Sequence, residues 1–136
     1  MALNRYLLDT HVLIWFQESS PNLHKQILDI IQNPDNVILF SQISLFEITI
    51  KQTIGKLPSF DASSQEVYLQ ALNDSFTFVN IQNVHISTYN KIDLMEHHRD
   101  PFDRLLIATA LYENAIILSG DAKFMLYNDI VETFWV

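Results

Sequence analysis

The chain has 136 residues, 49% of them apolar, with a net charge of −8 and only two glycines. That length is enough for one domain, residues 1–136, with a sizeable core and regular, helix-rich elements. The lack of cysteine excludes disulfides, thiolate metal sites and cysteine nucleophiles, and the acidic balance opposes a broad electrostatic grip on nucleic acid. In order, Arg5-Tyr6-Leu7-Leu8 reads as a short buried strand that delivers Asp9 at its carboxyl end. Thr10 to Gln17 carry an apolar pattern compatible with a first helix, and Ser19-Ser20-Pro21-Asn22 is a turn. Leu23 to Gln32 is an amphipathic helix stopped by Asn33-Pro34, and Val37 to Phe40 is a second buried strand.

Ser41 to Gly55 reads as the next helix, with Glu47 just inside it and Lys51 one turn on. Ser63 or Ser64 caps a helix through about Asn73, Phe76 to Ile81 is a third strand, and Ser87 to Met95 is expected to be helical. Asp100 followed by Pro101 reads as an N-cap with proline at the first helical position. Asp103 then falls at the third position, near the positive end of the helix dipole. Leu105 to Leu111 is apolar almost all round, so that helix is expected to be buried on most faces. Asn114 reads as its C-cap, Ala115 to Leu118 as a buried strand ending at Ser119-Gly120-Asp121, and a short helix and a terminal strand near Val131 to Trp135 follow.

Buried apolar strands alternating with helices predict a three-layer α/β/α domain around a mainly parallel sheet of about four or five strands. Ligands bind such sheets outside the carboxyl ends of the strands, where strand order reverses. Asp9 and Asp121 follow strands, while Glu47 and Asp103 lie near helix starts that open on the same edge. Carboxylates gathered there repel one another unless a cation is present. An oxygen-only donor set suits Mg²⁺ or Mn²⁺, ions that serve phosphodiester hydrolysis.

The residues Leu7-Leu8-Asp9-Thr10-His11, Ser44-x-x-Glu47-x-x-x-Lys51, His98-Arg99-Asp100-Pro101-Phe102-Asp103-Arg104 and Ser119-Gly120-Asp121 resemble the PIN domain. Within that family the resemblance points to VapC-type toxins of bacterial toxin–antitoxin pairs, and it runs from about residue 5 to the C-terminus. It implies a metal-dependent ribonuclease with Asp9, Glu47, Asp103 and Asp121 as catalytic and metal-binding acids, Asp100 as a supplementary acid and Ser119 as a loop-fixing residue. It also implies an RNA substrate and an antitoxin partner, while a helix pair near the N-terminus is expected to form a homodimer and the apolar patterning predicts a cytoplasmic location. No signal peptide or membrane span is expected, since Arg5 and Asp9 interrupt any apolar run. Phe46 stands where the family commonly has tryptophan, and Gly120 where a bulkier residue is frequent, which is expected to loosen the last loop.

Simpler roles exist for each residue. Asp9, Asp100 and Asp121 read as helix caps, and Ser44-x-x-Glu47 fits a capping box. His97 and His98 read as surface residues, because no third nitrogen or sulfur ligand accompanies them. His11 reads as orienting its loop; Trp15, Phe16 and Trp135 read as core or interface. Lys51, Arg99, Arg104 and Lys123 either contact RNA phosphates or pair with the acids. The competing function is a catalytically silent PIN-fold module that acts by docking an antitoxin-like peptide. A dehalogenase-type phosphotransfer site is disfavoured, because it needs a second Asp where His11 stands.

Overall fold

Arg5–Leu8 forms the first strand, β1, which becomes the centre of the sheet. The computed structural model describes residues 4–93 and 100–135. After β1 come α1 (Thr10–Glu18), α2 (Lys25–Gln32), β2 (Val37–Ser41), α3 (Gln42–Thr53) and α4 (Ser64–Asn73). Then follow β3 (Thr77–Val79), α5 (Asn83–Tyr89), α6 (Pro101–Glu113), β4 (Ile116–Ser119), a 3₁₀ helix (Ala122–Tyr127) and β5 (Thr133–Trp135). The five strands lie in the order β3-β2-β1-β4-β5, and every pairing is parallel. The expected α/β/α architecture is what forms.

Alternation along the strands feeds two cores, one on each face. Leu8, Phe40 and Leu118 point into a cluster with Val12 and Leu13 of α1, Ile27 of α2 and Val67 of α4. Their neighbours Leu7, Leu39 and Ile117 enter the opposite cluster with Leu106 and Ile107 of α6, Phe124 and Tyr127. Helix α3 reaches both cores, through Ile43 on one side and Ile48 on the other. Burying each such side chain contributes roughly 1.5–3 kcal/mol, so the two faces dominate the stability.

Local chemistry fixes the ends. Asp9 caps α1 by accepting from the Val12 amide at 2.8 Å, and Asp100 caps α6 by accepting from Phe102 and Asp103 at 2.8 and 3.1 Å. Ser63 and Glu66 complete a capping box on α4. Asn114 ends α6 in the left-handed conformation (φ 53°), as a C-cap asparagine should. The other expected box does not form. Helix α3 begins where expected, at Gln42 with Ser41 as its cap, so Ser44 lies buried a turn inside it and is no cap. Helix α5, by contrast, runs Asn83–Tyr89 rather than Ser87 to Met95: it starts four residues earlier and ends at Tyr89, with residues 90–92 forming a turn. Met95, His97, His98 and Arg99 lie outside the described residues.

Candidate active site

The chain runs outward from β1 to β2 and β3, then crosses to the far side of β1 for β4 and β5. Strand order therefore reverses between β1 and β4, which opens a crevice at their carboxyl ends. The Asp9 amide bridges the two strands there, donating to the Leu118 carbonyl at 3.0 Å. Asp9, Glu47, Asp103 and Asp121 all line a cavity of about 280 Å³ at this edge, with Asp100 among them. They arrive from the ends of β1 and β4, from the middle of α3 and from the start of α6, four segments distant in sequence. Lys51 and Lys123 line the same cavity. A larger hollow of about 610 Å³ lies between α1, α2 and α4, away from the strand ends, and brings together only Glu66 and Asp74 as acids.

The acids are held differently. Asp9 is buried, and its second carboxylate oxygen accepts from the Ser119 hydroxyl. Ser119 in turn accepts from the Asp121 amide at 2.9 Å, so one hydroxyl ties the end of β1 to the loop after β4. Burial pushes the Asp9 carboxyl up to about 6, with the negative charges of Asp121 and Glu47 adding to the effect and the Ser119 and Val12 hydrogen bonds opposing it. Glu47 is also buried; it accepts from Thr10 Oγ1 at 2.6 Å and pairs with Lys51 Nζ at 2.7 Å. The cap roles are thus real and compatible with the cavity. Asp9, Asp100 and Asp121 each satisfy a backbone amide with one oxygen and still line the crevice.

Lys51 neutralises a carboxylate that is only 3% exposed, in the favourable Glu-to-Lys spacing of one helical turn. Lys51→Met should therefore cost roughly 2 kcal/mol in urea unfolding at pH 7. That is less than the cost of breaking a fully enclosed pair, because the lysine keeps 27% of its surface in water. Lys51→Arg should retain most of the stability. A loss below about 0.5 kcal/mol for the Met variant would mean that Thr10 alone suffices for Glu47.

One expectation needs correction. Arg104 does not face the crevice. It is 2% exposed, and its guanidinium donates to the Ile92 and Asp93 carbonyls at 2.9 and 3.0 Å and to the Tyr89 and Tyr127 hydroxyls at 3.2 Å each. One residue beyond Asp103, it is turned about 100° round the helix and into the protein. Gly120 is closely packed. A Cβ there would lie 2.8 Å from Trp15 Cζ3, so the indole occupies the space that a side chain would take. Phe46 is 55% exposed on α3, its ring edge-on to Phe102 at 5.8 Å.

The donor set fits a hard divalent cation. It is all oxygen, and an Asp9 carboxyl pushed up by burial, with its acidic neighbours adding to the effect, is one whose ionised form a cation would restore. Among the described residues, no three acidic or histidine side chains are drawn close enough together to hold one ion as a ready-made cage. Glu47 is turned toward Lys51 and Thr10 instead.

The model of the PIN domain matches residues 6–128. This chain belongs to the PIN domain family. The match spans the segments that carry all four acids, from Asp9 to Asp121. No curated protein matched the sequence. Among solved structures, this PIN domain is similar to VapBC-1 from nontypeable Haemophilus influenzae (TM-score 0.64, 14% identity), over 96% of this chain and 97% of that one. It is also similar to VapBC2 from Rickettsia felis bound to a DNA fragment from their promoter (0.63, 17%; 95% and 98% covered) and to a toxin-antitoxin complex from Klebsiella pneumoniae (0.59, 19%; 96% and 99%). At such identities the likeness is one of fold.

Proposed function

We propose that this PIN domain is a divalent-metal-dependent endoribonuclease of the VapC toxin type, with Asp9, Glu47, Asp103 and Asp121 as its working acids. The observation that carries the reading is the convergence of these four carboxylates on one cavity at the strand-order reversal. The family match and the toxin–antitoxin complexes among similar folds support both the nuclease class and an antitoxin partner.

Asp9, Asp103 and Asp121 would hold a Mg²⁺ or Mn²⁺ ion, with Glu47 as a further ligand or as the group that orients water. The bound cation would supply stabilisation of the charge that develops on the phosphoryl group and acidify a water. The chain's own residues do the rest. Ser119 keeps Asp9 and the Asp121 loop in fixed relation through its two hydrogen bonds. Asp103, on the first turn of α6, has its charge favoured by the helix dipole. Lys123 is exposed at the cavity and suits a phosphate oxygen, whereas Lys51 is engaged with Glu47.

The test is cleavage of a pool of structured RNAs with Mn²⁺, Mg²⁺ or EDTA, wild type against Asp103→Asn. Wild-type cutting should require the metal, and the variant should lose at least about a hundredfold. A folded, Mn²⁺-loaded wild type that cuts neither this pool nor host tRNA and rRNA would overturn the nuclease and leave the silent antitoxin-binding module.

A further inference from the structure

The cavity that collects the acids has one wall of a different kind. His11 and Trp15 both line it, one helical turn apart on α1, so they share a face directly after Asp9. Their ring centroids are 5.9 Å apart, with the planes inclined at 52°. The indole packs against Gly120 of the same cavity. It sits where a Cβ on Gly120 would be, 2.8 Å from Cζ3 and 3.1 Å from Cη2. Gly120 does not have a positive φ, so the backbone there does not demand glycine; the close approach of Trp15 does.

Neither ring serves a metal–carboxylate site as such. The cation takes oxygen, and a phosphate takes cations and N–H donors. A phosphodiester lying in the cavity, however, brings its attached nucleosides against the cavity wall. Every base has a π face, and aromatic side chains bind it without reading sequence. We propose that Trp15, assisted by His11, stacks on a nucleobase next to the phosphate held at the acids, and so acts as a positioning residue for the substrate strand. This rests on the ribonuclease reading. It makes Gly120 part of substrate binding, because a side chain there displaces the indole.

The experiment uses an RNA that the wild type cuts, prepared both intact and with an abasic nucleotide at each position flanking the cut in turn. Trp15→Ala should raise KM about tenfold on the intact RNA, the loss of one stacked base, with kcat within about threefold. Trp15→Phe should recover much of the loss. At one flanking position, the abasic RNA should bring wild type down to the variant's level and cost Trp15→Ala nothing more. Equal penalties for the abasic RNA with wild type and Trp15→Ala at every position would overturn the stacking, as would a loss in kcat alone. The abasic comparison on wild-type protein guards against a misfolded variant. Should the wild type cut no RNA, the nuclease reading falls on its own. Stacking is then read from indole fluorescence, with an oligoribonucleotide that quenches in wild type more than in Trp15→Phe and more than its abasic counterpart. The absence of that base-dependent difference sinks the inference directly.

Discussion

Asp9→Asn should abolish metal-dependent cleavage, by at least about a thousandfold, while making the cation-free protein more stable at neutral pH. The two effects share one cause. Burial, with Asp121 and Glu47 nearby, raises the Asp9 carboxyl from 3.8 to about 6. A carboxyl with a folded pKa above its unfolded value keeps its proton longer in the folded state. Between those two pH values the native protein therefore binds more protons, and its stability falls as pH rises. Above about pH 6 the full penalty is present, up to about 3 kcal/mol for a shift of this size. Asparagine has the same shape without the charge. Its oxygen can accept from Val12, and its amide can donate to the Ser119 hydroxyl oxygen. Thermal unfolding in EDTA should then show the variant several degrees above wild type at pH 7.5 and level with it near pH 4. Mn²⁺ should narrow the gap at pH 7.5 by binding native wild type preferentially. A variant that still cuts within tenfold of wild type would remove Asp9 from the site. One whose stability relative to wild type does not change with pH would remove the electrostatic account.

This coupling explains why the acids could be read from sequence both as caps and as a site. Asp9, Asp100 and Asp121 follow strands or precede helices, and a carboxylate at a helix start satisfies amides wherever it points. The parallel sheet then brings those helix starts to one edge. Apolar runs such as Val37 to Phe40 carried enough information for the sheet, and the motif order carried enough for the acids. Non-local contacts did not show. Sequence adjacency suggested that Arg104 shares the surroundings of Asp103, although successive residues on a helix face different ways. A signal was available, since Arg104 opens an apolar run that buries most of α6. Nothing local revealed that Trp15 fills the space beside Gly120, because the two lie on separate elements after β1 and β4. The start of α5 was missed for a similar reason. His85 is fully buried in it, its Nδ1 accepting from the Gln82 amide at 3.2 Å, which leaves the Nε2–H to donate to the Glu113 carboxylate of α6 at 3.4 Å. That polar core contact carries no hydrophobic periodicity.

Arg104→Met should be the most destabilising single change outside the apolar cores, at about 3 kcal/mol or more, lowering Tm by roughly 10 °C. The methionine would replace much of the aliphatic packing, so the loss isolates the guanidinium. Its three nitrogens make four hydrogen bonds, all to neutral oxygens: two backbone carbonyls before the α6 start and two tyrosine hydroxyls. The guanidinium carbon also lies 5.0 Å from the Tyr89 ring centroid. Removing it strands the buried Ile92 carbonyl, an unmet acceptor that costs about 1–3 kcal/mol, and leaves the part-buried Asp93 carbonyl and two tyrosine hydroxyls without their donor. Arg104→Lys should recover less than half, because one ammonium lacks the planar fork that spans these partners. Both variants should lose stability at low and high salt alike, unlike a surface ion pair. Since Arg104 anchors the first turn of α6, where Asp103 sits, any cleavage measured well below the lowered Tm should show a weaker response to Mn²⁺ concentration. A Met variant melting within about 2 °C of wild type would return Arg104 to the surface and reopen its contact with phosphate.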